Sequence, residues 1–363
     1  MRILAAAMHP GPAEAIAPVV SNLRDAGHTV KLIGVRNDTP ETRNHGGSAL
    51  LFEQMGVEHN ELQTDGCHGD VTRVSLDYAS SLFERFTPDR VLVGCSVDRS
   101  GEIMCIEDAV ILAASRRQIP SVHVVGGWDV WYPRIAGALA SRWAVFDEAV
   151  AEEMTQRGAP RSKIEITGNP ALDAYSTPDL SRRQDVRDRL AIGDERLIAY
   201  FGQARTPGSI PDNPRTLRWV VDALGPEDRL IFARHPRDDR DYGDLLTHPD
   251  RRLLAVDFSS DQLVYGIDVA VSHFSTMSLK AALLNIPTIL VLVDSDIPDR
   301  RKECGGYLLS NIGGAYEVNA EPQLTDLLQQ KLSGKASTLR AAVNVDGRAT
   351  ERVAGLVLHQ GAA

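Results

Sequence analysis

Short apolar segments alternate with segments of helical periodicity along most of this chain. Residues 2–8 and 29–35 are apolar, and residues 13–26 between them carry apolar side chains on one helical face. The same order starts again at residues 197–201. Strands that alternate with helices form parallel sheets, because each helical crossover returns the chain to the same edge of the sheet. The sequence therefore predicts an α/β protein with two doubly wound parallel sheets.

The length of 363 residues suits about two domains of ~100–200 residues each. A charged stretch, residues 173–195, separates the two series of strands and is predicted to be the interdomain linker. We therefore expect a first domain at residues 1–172 and a second at residues 196–340. One helical pattern runs from Lys335 to Leu358, and we expect the C-terminal part, residues 341–363, to pack back on the first domain.

The charge balance disfavours nucleic acid as the main partner. The net charge is −10, whereas a nucleic-acid backbone requires a basic face. No apolar run approaches the ~20 residues of a membrane helix, and the first residues lack the layout of a signal peptide. We predict a cytoplasmic protein whose oligomeric state stays open, a homodimer included. The cysteines form no CxxC pair, which indicates free thiols in a reducing compartment: Cys67, Cys95, Cys105 and Cys304.

Two strand ends in the second half carry side chains that suit a phosphate. Arg234 and His235 directly follow an apolar strand, and the next residue is Pro236, which favours an extended turn. Ser275 and Thr276 follow another strand and precede a helical pattern, where free backbone amides bind anions. Either pair could instead be purely structural, as a turn or a helix cap. Together, at two strand ends of one sheet, they predict a phosphate clamp.

The first strand leads into the turn His9-Pro10-Gly11-Pro12. This turn is too short for the dinucleotide fingerprint GxGxxG, so NAD or FAD is not expected here. Gly11 would let a ligand or the partner domain approach the backbone closely.

The motifs together resemble the GT-B superfamily. This group includes nucleotide-sugar glycosyltransferases, UDP-N-acetylglucosamine 2-epimerases and transferases that use CDP-glycerol or CMP-sialic acid. The segment Ile166–Asp173, with the sequence ITGNPALD, is similar to the one that closes their first domain. The resemblance implies two Rossmann-like domains facing a cleft, with a nucleotide donor on the second domain. It also implies donor contacts from Gly202 and Gln203, from Arg234 and His235, and from Ser275 and Thr276.

Three departures from these families bear on the reaction. Lys280 stands where many UDP-sugar enzymes carry a ribose-binding Glu, which favours a CMP- or CDP-type donor and makes Lys280 a further phosphate contact. The epimerase segment His-Gly-Asp-Thr is replaced by Gly94-Cys95-Ser96, with Asp98 following later. The segment His-Val-Glu-Ala-Gly appears as residues 123–127, HVVGG, without its acid. The resemblance therefore favours transfer over epimerisation.

Transfer to a hydroxyl needs a general base. Four candidates lie at predicted strand ends of the first half: His9, Asp98, Glu102 and Asp129. Each could equally be a turn or loop residue, or a helix cap, without a catalytic role. Trp128 lies beside Asp129 and could stack on an acceptor sugar or fill a domain interface. The transferase interpretation makes Gly11 and Trp128 the predicted contacts of the acceptor.

The sequence supports three functions. The first is a metal-independent GT-B glycosyltransferase that moves a sugar or polyol phosphate from a nucleotide donor, its only co-substrate, to a small molecule or glycan. The second is a UDP-N-acetylglucosamine 2-epimerase. The third is a non-catalytic protein that binds nucleotide sugars. No acidic metal cluster is evident in the sequence, so neither a metal nor a cofactor is predicted.

Overall fold

The computed structural model describes residues 1–36, 47–63, 67–68, 71–72, 76–96, 105–128, 140–203, 211–235, 238–246, 253–254, 259–294 and 307–359. The chain divides into two compact units. The first unit comprises residues 1–176 and 343–363, and the second comprises residues 177–342.

The strands follow the predicted alternation, with three further short strands in residues 60–72 that were not predicted. In chain order they are β1 (Arg2–Ala7), β2 (Thr29–Arg36), β3 (Asn60–Gln63), β4 (Cys67–His68), β5 (Val71–Thr72), β6 (Arg90–Val93), β7 (Ser121–Val125), β8 (Arg142–Val145), β9 (Ile164–Ile166), β10 (Arg196–Phe201), β11 (Asp228–Ala233), β12 (Leu253–Leu254), β13 (Val269–Ser272), β14 (Thr288–Val291) and β15 (Tyr316–Val318).

The helices cover the sheets between these strands. They are α1 (Pro10–Asp25), α2 (Ser48–Gln54), α3 (Leu76–Phe86), α4 (Ile106–Arg116), α5 (Glu148–Gln156), α6 (Arg182–Arg189), α7 (Asn213–Ala223), α8 (Ser260–Leu263), α9 (Thr276–Leu283), α10 (Leu308–Asn311), α11 (Glu321–Leu328), α12 (Ala336–Ala342) and α13 (Ala349–Leu358). Short 3-10 segments occur at Arg161–Lys163, Pro170–Tyr175 and Gly243–Leu245.

Each unit is built on one parallel sheet. Among the described residues, the first sheet has seven strands in the order β3-β2-β1-β6-β7-β8-β9, and the second has six in the order β12-β11-β10-β13-β14-β15. All neighbours in both sheets are parallel. Strands β4 and β5 form a separate antiparallel ladder. The predicted fold class, two doubly wound parallel sheets, is confirmed.

The single helix predicted from Lys335 to Leu358 is wrong. The chain forms α12 and α13 instead, and Gly347 between them adopts a φ of +80°, which is incompatible with a right-handed helix. Helix α12 belongs to the second unit and α13 to the first. In the first unit Val353 and Val357 of α13 are fully buried in the core that also contains Ile16 of α1.

Part of the segment predicted as a linker is built into the second unit. Arg187 of α6 is buried, and its guanidinium donates to Asp268, at 3.0 Å, and to the backbone carbonyl of Glu195, at 2.7 Å. Asp268 also accepts from Arg183, at 2.6 Å, and from the backbone N–H of Leu197, at 2.7 Å. These bonds fasten α6 to the beginning of β10, so residues 182–196 are not a free connection.

Candidate functional site

The strand order of the second sheet reverses beside β10. The chain passes from β10 to β11 and β12 on one side, and β13 then lies on the other side of β10. In register, Phe201 of β10 is opposite both Ala233 of β11 and Ser272 of β13. The loops that follow these three residues therefore begin side by side at the same edge of the sheet. Open α/β sheets bind ligands at such a switch point.

The loop after β10 contains the predicted donor residues Gly202 and Gln203. A Cβ atom on Gly202 would lie 3.0 Å from the ring of Phe232 and 3.2 Å from Nδ2 of Asn213, so a larger residue would require these side chains to shift by a few tenths of an ångström. Asn213 is buried and holds Gln203 in both directions. Its Nδ2 donates to the Gln203 carbonyl at 2.8 Å, and its Oδ1 accepts from the Gln203 N–H at 3.2 Å.

Asp238 joins this loop to the one after β11. Its carboxylate accepts from Nδ2 of Asn213 at 2.7 Å, from Nε of Arg240 at 2.6 Å and from the Tyr242 hydroxyl. Burial by itself would raise the pKa of Asp238, but the hydrogen bonds from Tyr242, Arg240 and Asn213 outweigh burial and lower it. An ionised Asp238 therefore organises the loops at the ends of β10 and β11.

Arg234 contributes to the same loop. Its guanidinium donates to the backbone carbonyls of Asp238 and Arg240, at 2.9 Å each, and lies over the ring of Tyr242. His235 is half-buried, and its carbonyl accepts from the Asp238 N–H at 2.9 Å. Arg234 thus folds the loop that presents His235. Phosphate contact by either side chain stays a prediction.

His273 follows β13 and is fully buried. Its Nδ1 lies 2.9 Å from the carbonyl of Val291, and because a carbonyl only accepts, Nδ1 carries a proton. Its Nε2 lies 3.0 Å from the Tyr200 hydroxyl, which is also 3.0 Å from Oδ1 of Asn213. One hydrogen-bonded chain therefore connects the carboxyl ends of β10, β13 and β14 to the start of α7.

The helix start predicted at Ser275 and Thr276 is present. Ser275 is the N-cap of α9, and its Oγ accepts from the Met277 N–H at 3.2 Å. Thr276 is the first helical residue rather than a second cap, and it is exposed. The first turn of a helix presents backbone amides and a partial positive charge, which suits a phosphate.

Lys280 lies further along α9, and its side chain is buried. Its Nζ is 2.5 Å from Oδ1 of Asp261, at the start of α8, so the ammonium group is engaged in an ion pair within the unit. The predicted contact between Lys280 and a donor phosphate stays a prediction, and it would require the ammonium to share this partner.

In the first unit the matching switch point lies between β1 and β6. His9 follows β1 as the N-cap of α1, and its imidazole makes no capping bond. Its backbone N–H donates to Oγ of Ser96, at 3.1 Å, beyond the end of β6. Helix α1 begins at Pro10, so the turn predicted at residues 9–12 forms its first turn. Proline suits this position because the first helical N–H groups need no partner within the helix.

Two glycines at this switch point differ in their surroundings. A Cβ atom on Gly94 would lie 2.5 Å from Cβ of Pro12, so glycine allows α1 to start directly over the end of β6. Gly11 is exposed, and a Cβ atom there would meet nothing within 4 Å. Because packing does not require glycine at position 11, the predicted approach of a ligand remains a reason for it.

The structure adds an acid that the sequence did not single out. Glu107, in the first turn of α4, is fully buried, and its Oε1 accepts from the Met8 N–H at 2.8 Å. Burial raises the pKa of this carboxyl to about 8, although hydrogen bonds from Ser96 and Met8 oppose the shift. Acidic residues are ordinary in a first helical turn, so nothing in the sequence distinguishes this one.

Burial also raises the pKa of the neighbouring free thiol of Cys95 to about 12.

The other predicted residues of the first half have separate outcomes. Asp98, Glu102 and Asp129 lie outside the described residues. Trp128 donates from Nε1 to Asp147 at 2.7 Å, and its ring centroid is 5.3 Å from that of Phe146. This indole is therefore fixed beside β8, and acceptor stacking by it stays a prediction.

The described residues contain one group of closely spaced side chains of the kind that bind metals. In sequence, this group is distant from both switch points. Glu53, His59 and Glu61 have ligand atoms within 4.8 Å of one another. Arg36 already donates to both carboxylates, including a 2.8 Å bond from Nε to Glu61. This cluster is an ion-pair group centred on a guanidinium.

Comparison with known proteins adds the following. No family model matches the chain. The teichoic acid glycerol-phosphate primase of Staphylococcus aureus is 22% identical over 263 residues, which cover 64% of this chain and 66% of that protein. The UDP-GlcNAc 2-epimerase of Neisseria meningitidis, solved with UDP-GlcNAc, has a TM-score of 0.67 at 16% identity and covers 99% of this chain and 100% of its own. The Methanocaldococcus jannaschii UDP-GlcNAc 2-epimerase has a TM-score of 0.65 at 16% identity, with 99% of both chains covered.

None of the helices in the described part of the chain is long and apolar enough to span a bilayer. The comparisons with solved structures extend over both units and agree with the two parallel sheets. The chain therefore has the GT-B fold.

Proposed function

We propose that this protein is a nucleotide-sugar enzyme that transfers a sugar, or a polyol phosphate, from a nucleotide-activated donor to an acceptor. One observation carries the proposal. Three register-aligned strand ends in the second unit, continued by Gly202, Arg234 and His273, meet at a switch point beside the start of α9. Such an arrangement suits the phosphates of a nucleotide.

The second unit would bind the donor through its phosphates. The first-turn amides of α9 and the hydroxyls of Ser275 and Thr276 supply donors, and His235 supplies a further one from the neighbouring strand end. Asp238 and Asn213 keep the two loops in place before the ligand arrives. Donors that are already oriented stabilise the charge that develops on the leaving phosphate.

The first unit would supply the base, for which we select His9. In glycosyl transfer, the acceptor oxygen bonds to the anomeric carbon, the bond from that carbon to the phosphate oxygen breaks, and His9 takes the hydroxyl proton. The nucleotide leaves with the bonding electron pair, as a diphosphate from a nucleoside-diphosphate sugar and as a monophosphate from a CMP-sugar. In polyol phosphate transfer the acceptor oxygen bonds instead to the phosphorus next to the polyol, the bond from that phosphorus to the bridging oxygen breaks, and the nucleoside monophosphate leaves. This assignment needs no metal ion.

The curated relative supports the polyol phosphate form of the reaction, because its name describes a glycerol-phosphate primase. Its low identity and partial coverage leave the donor and acceptor open. Lys280 supports a cytidine donor in preference to a uridine donor, as the sequence predicts.

Epimerisation of a UDP-sugar is the second candidate. Two solved 2-epimerases match the fold over 99% of this chain, and Glu107 is a buried acid in the unit where the acids of the epimerase motifs are replaced. Incubation with UDP-GlcNAc alone separates the two candidates, because an epimerase forms product without an acceptor. A non-catalytic nucleotide-sugar binder would give binding without turnover in every combination.

The donor site can be tested by titration calorimetry with UDP, UDP-GlcNAc, GDP, TDP, CMP and CDP. We expect a cytidine nucleotide to bind, and His235→Ala and Ser275→Ala each to weaken binding about tenfold or more, since hydrogen bonds to charged groups contribute about 1.5–3 kcal/mol. His359→Ala is the control for the first variant because His359 is exposed at the end of α13. Ser259→Ala is the control for the second, because Ser259 caps α8 in the same way.

Unchanged affinity in both site variants would refute the phosphate clamp. Tight binding of UDP-GlcNAc, with product formed in the absence of an acceptor, would establish the epimerase instead.

A further inference from the structure

We propose that Glu107 is the positioning residue that holds His9 at the mouth of the first unit's switch point. Glu107 acts through the turn that joins β1 to α1 and does not touch a substrate. The inference deepens the proposed function and rests on it only for the role given to His9.

Four hydrogen bonds fasten this turn from two sides. On one side, Glu107 accepts from the Met8 N–H at 2.8 Å, and Ser96 accepts from the His9 N–H at 3.1 Å. On the other side, the buried Ser48 donates its N–H to the Met8 carbonyl at 3.0 Å and its hydroxyl to the Ala7 carbonyl at 2.6 Å. The backbone of residues 7–9 is therefore fixed before any ligand binds.

Packing alone does not account for a carboxyl at position 107. A fully buried acid is unfavourable unless hydrogen bonds compensate for the lost hydration, and Oε2 of Glu107 has no hydrogen-bond partner among the described residues. The raised pKa leaves the group largely neutral at pH 7. A neutral carboxyl can still accept the Met8 N–H, and glutamine is its close match in shape and charge.

The turn leaves His9 in a defined position. Its φ and ψ are −98° and 159°, an extended conformation, and the imidazole does not cap α1. Because Gly94 lets Pro12 pack on the end of β6, the first turn of α1 stays close to Ser96. Ser96 beyond β6, Ser48 of α2 and Glu107 of α4 thus determine where the N-cap residue of α1, His9, is held.

Three variants of the full chain test this arrangement. Glu107→Leu removes the acceptor for Met8, Glu107→Gln retains it, and Ser96→Ala removes the acceptor for His9 together with the hydroxyl that hydrogen-bonds to Glu107. Amide hydrogen exchange of Met8 and His9 is measured together with the NMR signal of the His9 imidazole, which His9→Asn identifies. We expect Glu107→Leu to speed exchange at Met8 about tenfold and to shift the His9 signal, with both effects absent in Glu107→Gln.

If Glu107→Leu does not fold, Ser96→Ala is the deciding variant, and we expect faster exchange of the His9 amide together with a shifted His9 imidazole signal. Unchanged His9 signals in a folded Glu107→Leu or Ser96→Ala variant would overturn the proposal. Nucleotide titration of the same samples reports on the second unit separately. If nucleotides bind but the variants leave the His9 signals unchanged, the positioning role is refuted. If the unaltered protein binds no nucleotide, the proposed function is refuted.

Where an acceptor reaction is available, Glu107→Leu should lower kcat with the KM for the donor unchanged, and Glu107→Gln should restore kcat. Loss of folded protein would by itself lower the apparent kcat and leave KM unchanged, so kcat is expressed per folded molecule, counted by nucleotide titration of the second unit. A rise in the donor KM without a change in kcat would contradict positioning of the base.

Discussion

At the residue scale, the first unit buries two ionisable side chains with opposite pKa shifts. Burial raises the pKa of Glu107 to about 8 and lowers that of His123 to about 4. Both shifts favour the neutral form, because a charge is poorly solvated inside a protein. The Glu107 carboxyl accepts a hydrogen bond from the backbone N–H of Met8. Both ring nitrogens of His123, in contrast, lack a hydrogen-bond partner among the described residues.

His123 should make the first unit sensitive to acid. Its ordinary pKa of 6.5 is lowered to about 4 in the folded chain, so its contribution to the free energy of unfolding is complete above pH 6.5 and is lost as the pH falls toward 4. Glu107 has the opposite pH dependence, because its pKa is raised to about 8, so the effect of His123 is taken as the difference between His123→Leu and the unaltered chain. We expect His123→Leu to become more stable relative to the unaltered chain as the pH falls from 6.5 toward 4, without lowering stability at pH 7, because it replaces a buried polar group. Urea unfolding between pH 4 and pH 8 measures the difference. His359→Leu, at an exposed position, should show no such pH-dependent difference, and a difference for His123→Leu that does not change with pH would refute the assignment.

At the element scale, single glycines and acids determine how neighbouring elements meet. Gly94 admits the start of α1, and Gly202 admits Asn213 and Phe232. Gly202 was correctly placed by the sequence in the loop after β10, whereas Gly94 was noted only as part of the replaced epimerase segment. The partners were not predictable, because a close approach depends on residues that are distant in the chain.

Asp268 should stabilise the attachment of α6 to the second sheet. It accepts from Arg183, Arg187 and the Leu197 N–H, and Asp268→Ala leaves the buried guanidinium of Arg187 without its carboxylate. We expect the free energy of opening to fall by about 2–3 kcal/mol, measured by hydrogen exchange of peptides from residues 182–201. As a control, Asp346→Ala breaks the half-exposed pair with Arg352. It should lower the free energy of opening of its own segment by less than about 1 kcal/mol. Equal effects of the two variants would show that the Asp268 cluster has no special role.

At the scale of the whole molecule, the chain returns to its first unit at the C-terminus. Val353 and Val357 of α13 are fully buried in that core. A chain truncated after Ala342 lacks both valines and would expose the apolar core residues that they contact. We expect it to destabilise the first unit by about 3–6 kcal/mol, at about 1.5–3 kcal/mol for each buried valine, and to leave the second unit unchanged.

Hydrogen exchange resolved along the chain tests this prediction. Faster exchange should appear in α1 and β1 and not in β10 or β13. A substitution on the outer face of α13, Glu351→Ala, is the control, because Glu351 is exposed. Faster exchange in both units of the truncated chain would contradict the assignment of α13 to the first unit alone.

The sequence by itself determined the fold class and the principal strand ends. Alternating apolar and amphipathic segments indicate parallel sheets because the periodicity of each element is a local property. The positions of His9, Gly202, His235 and Ser275 at the ends of strands followed from the same pattern. The break in the C-terminal helix was missed, because the helical spacing continues on both sides of Gly347.

Only the tertiary structure decided which side chains meet at those strand ends. It paired Lys280 with Asp261, used Arg234 to fold its own loop, and brought Glu107 of α4 beneath the turn that carries His9. None of these partners is adjacent in sequence. Local periodicity can show where a strand ends, but burial and hydrogen bonding depend on every element packed around that end, and these are set by the complete fold.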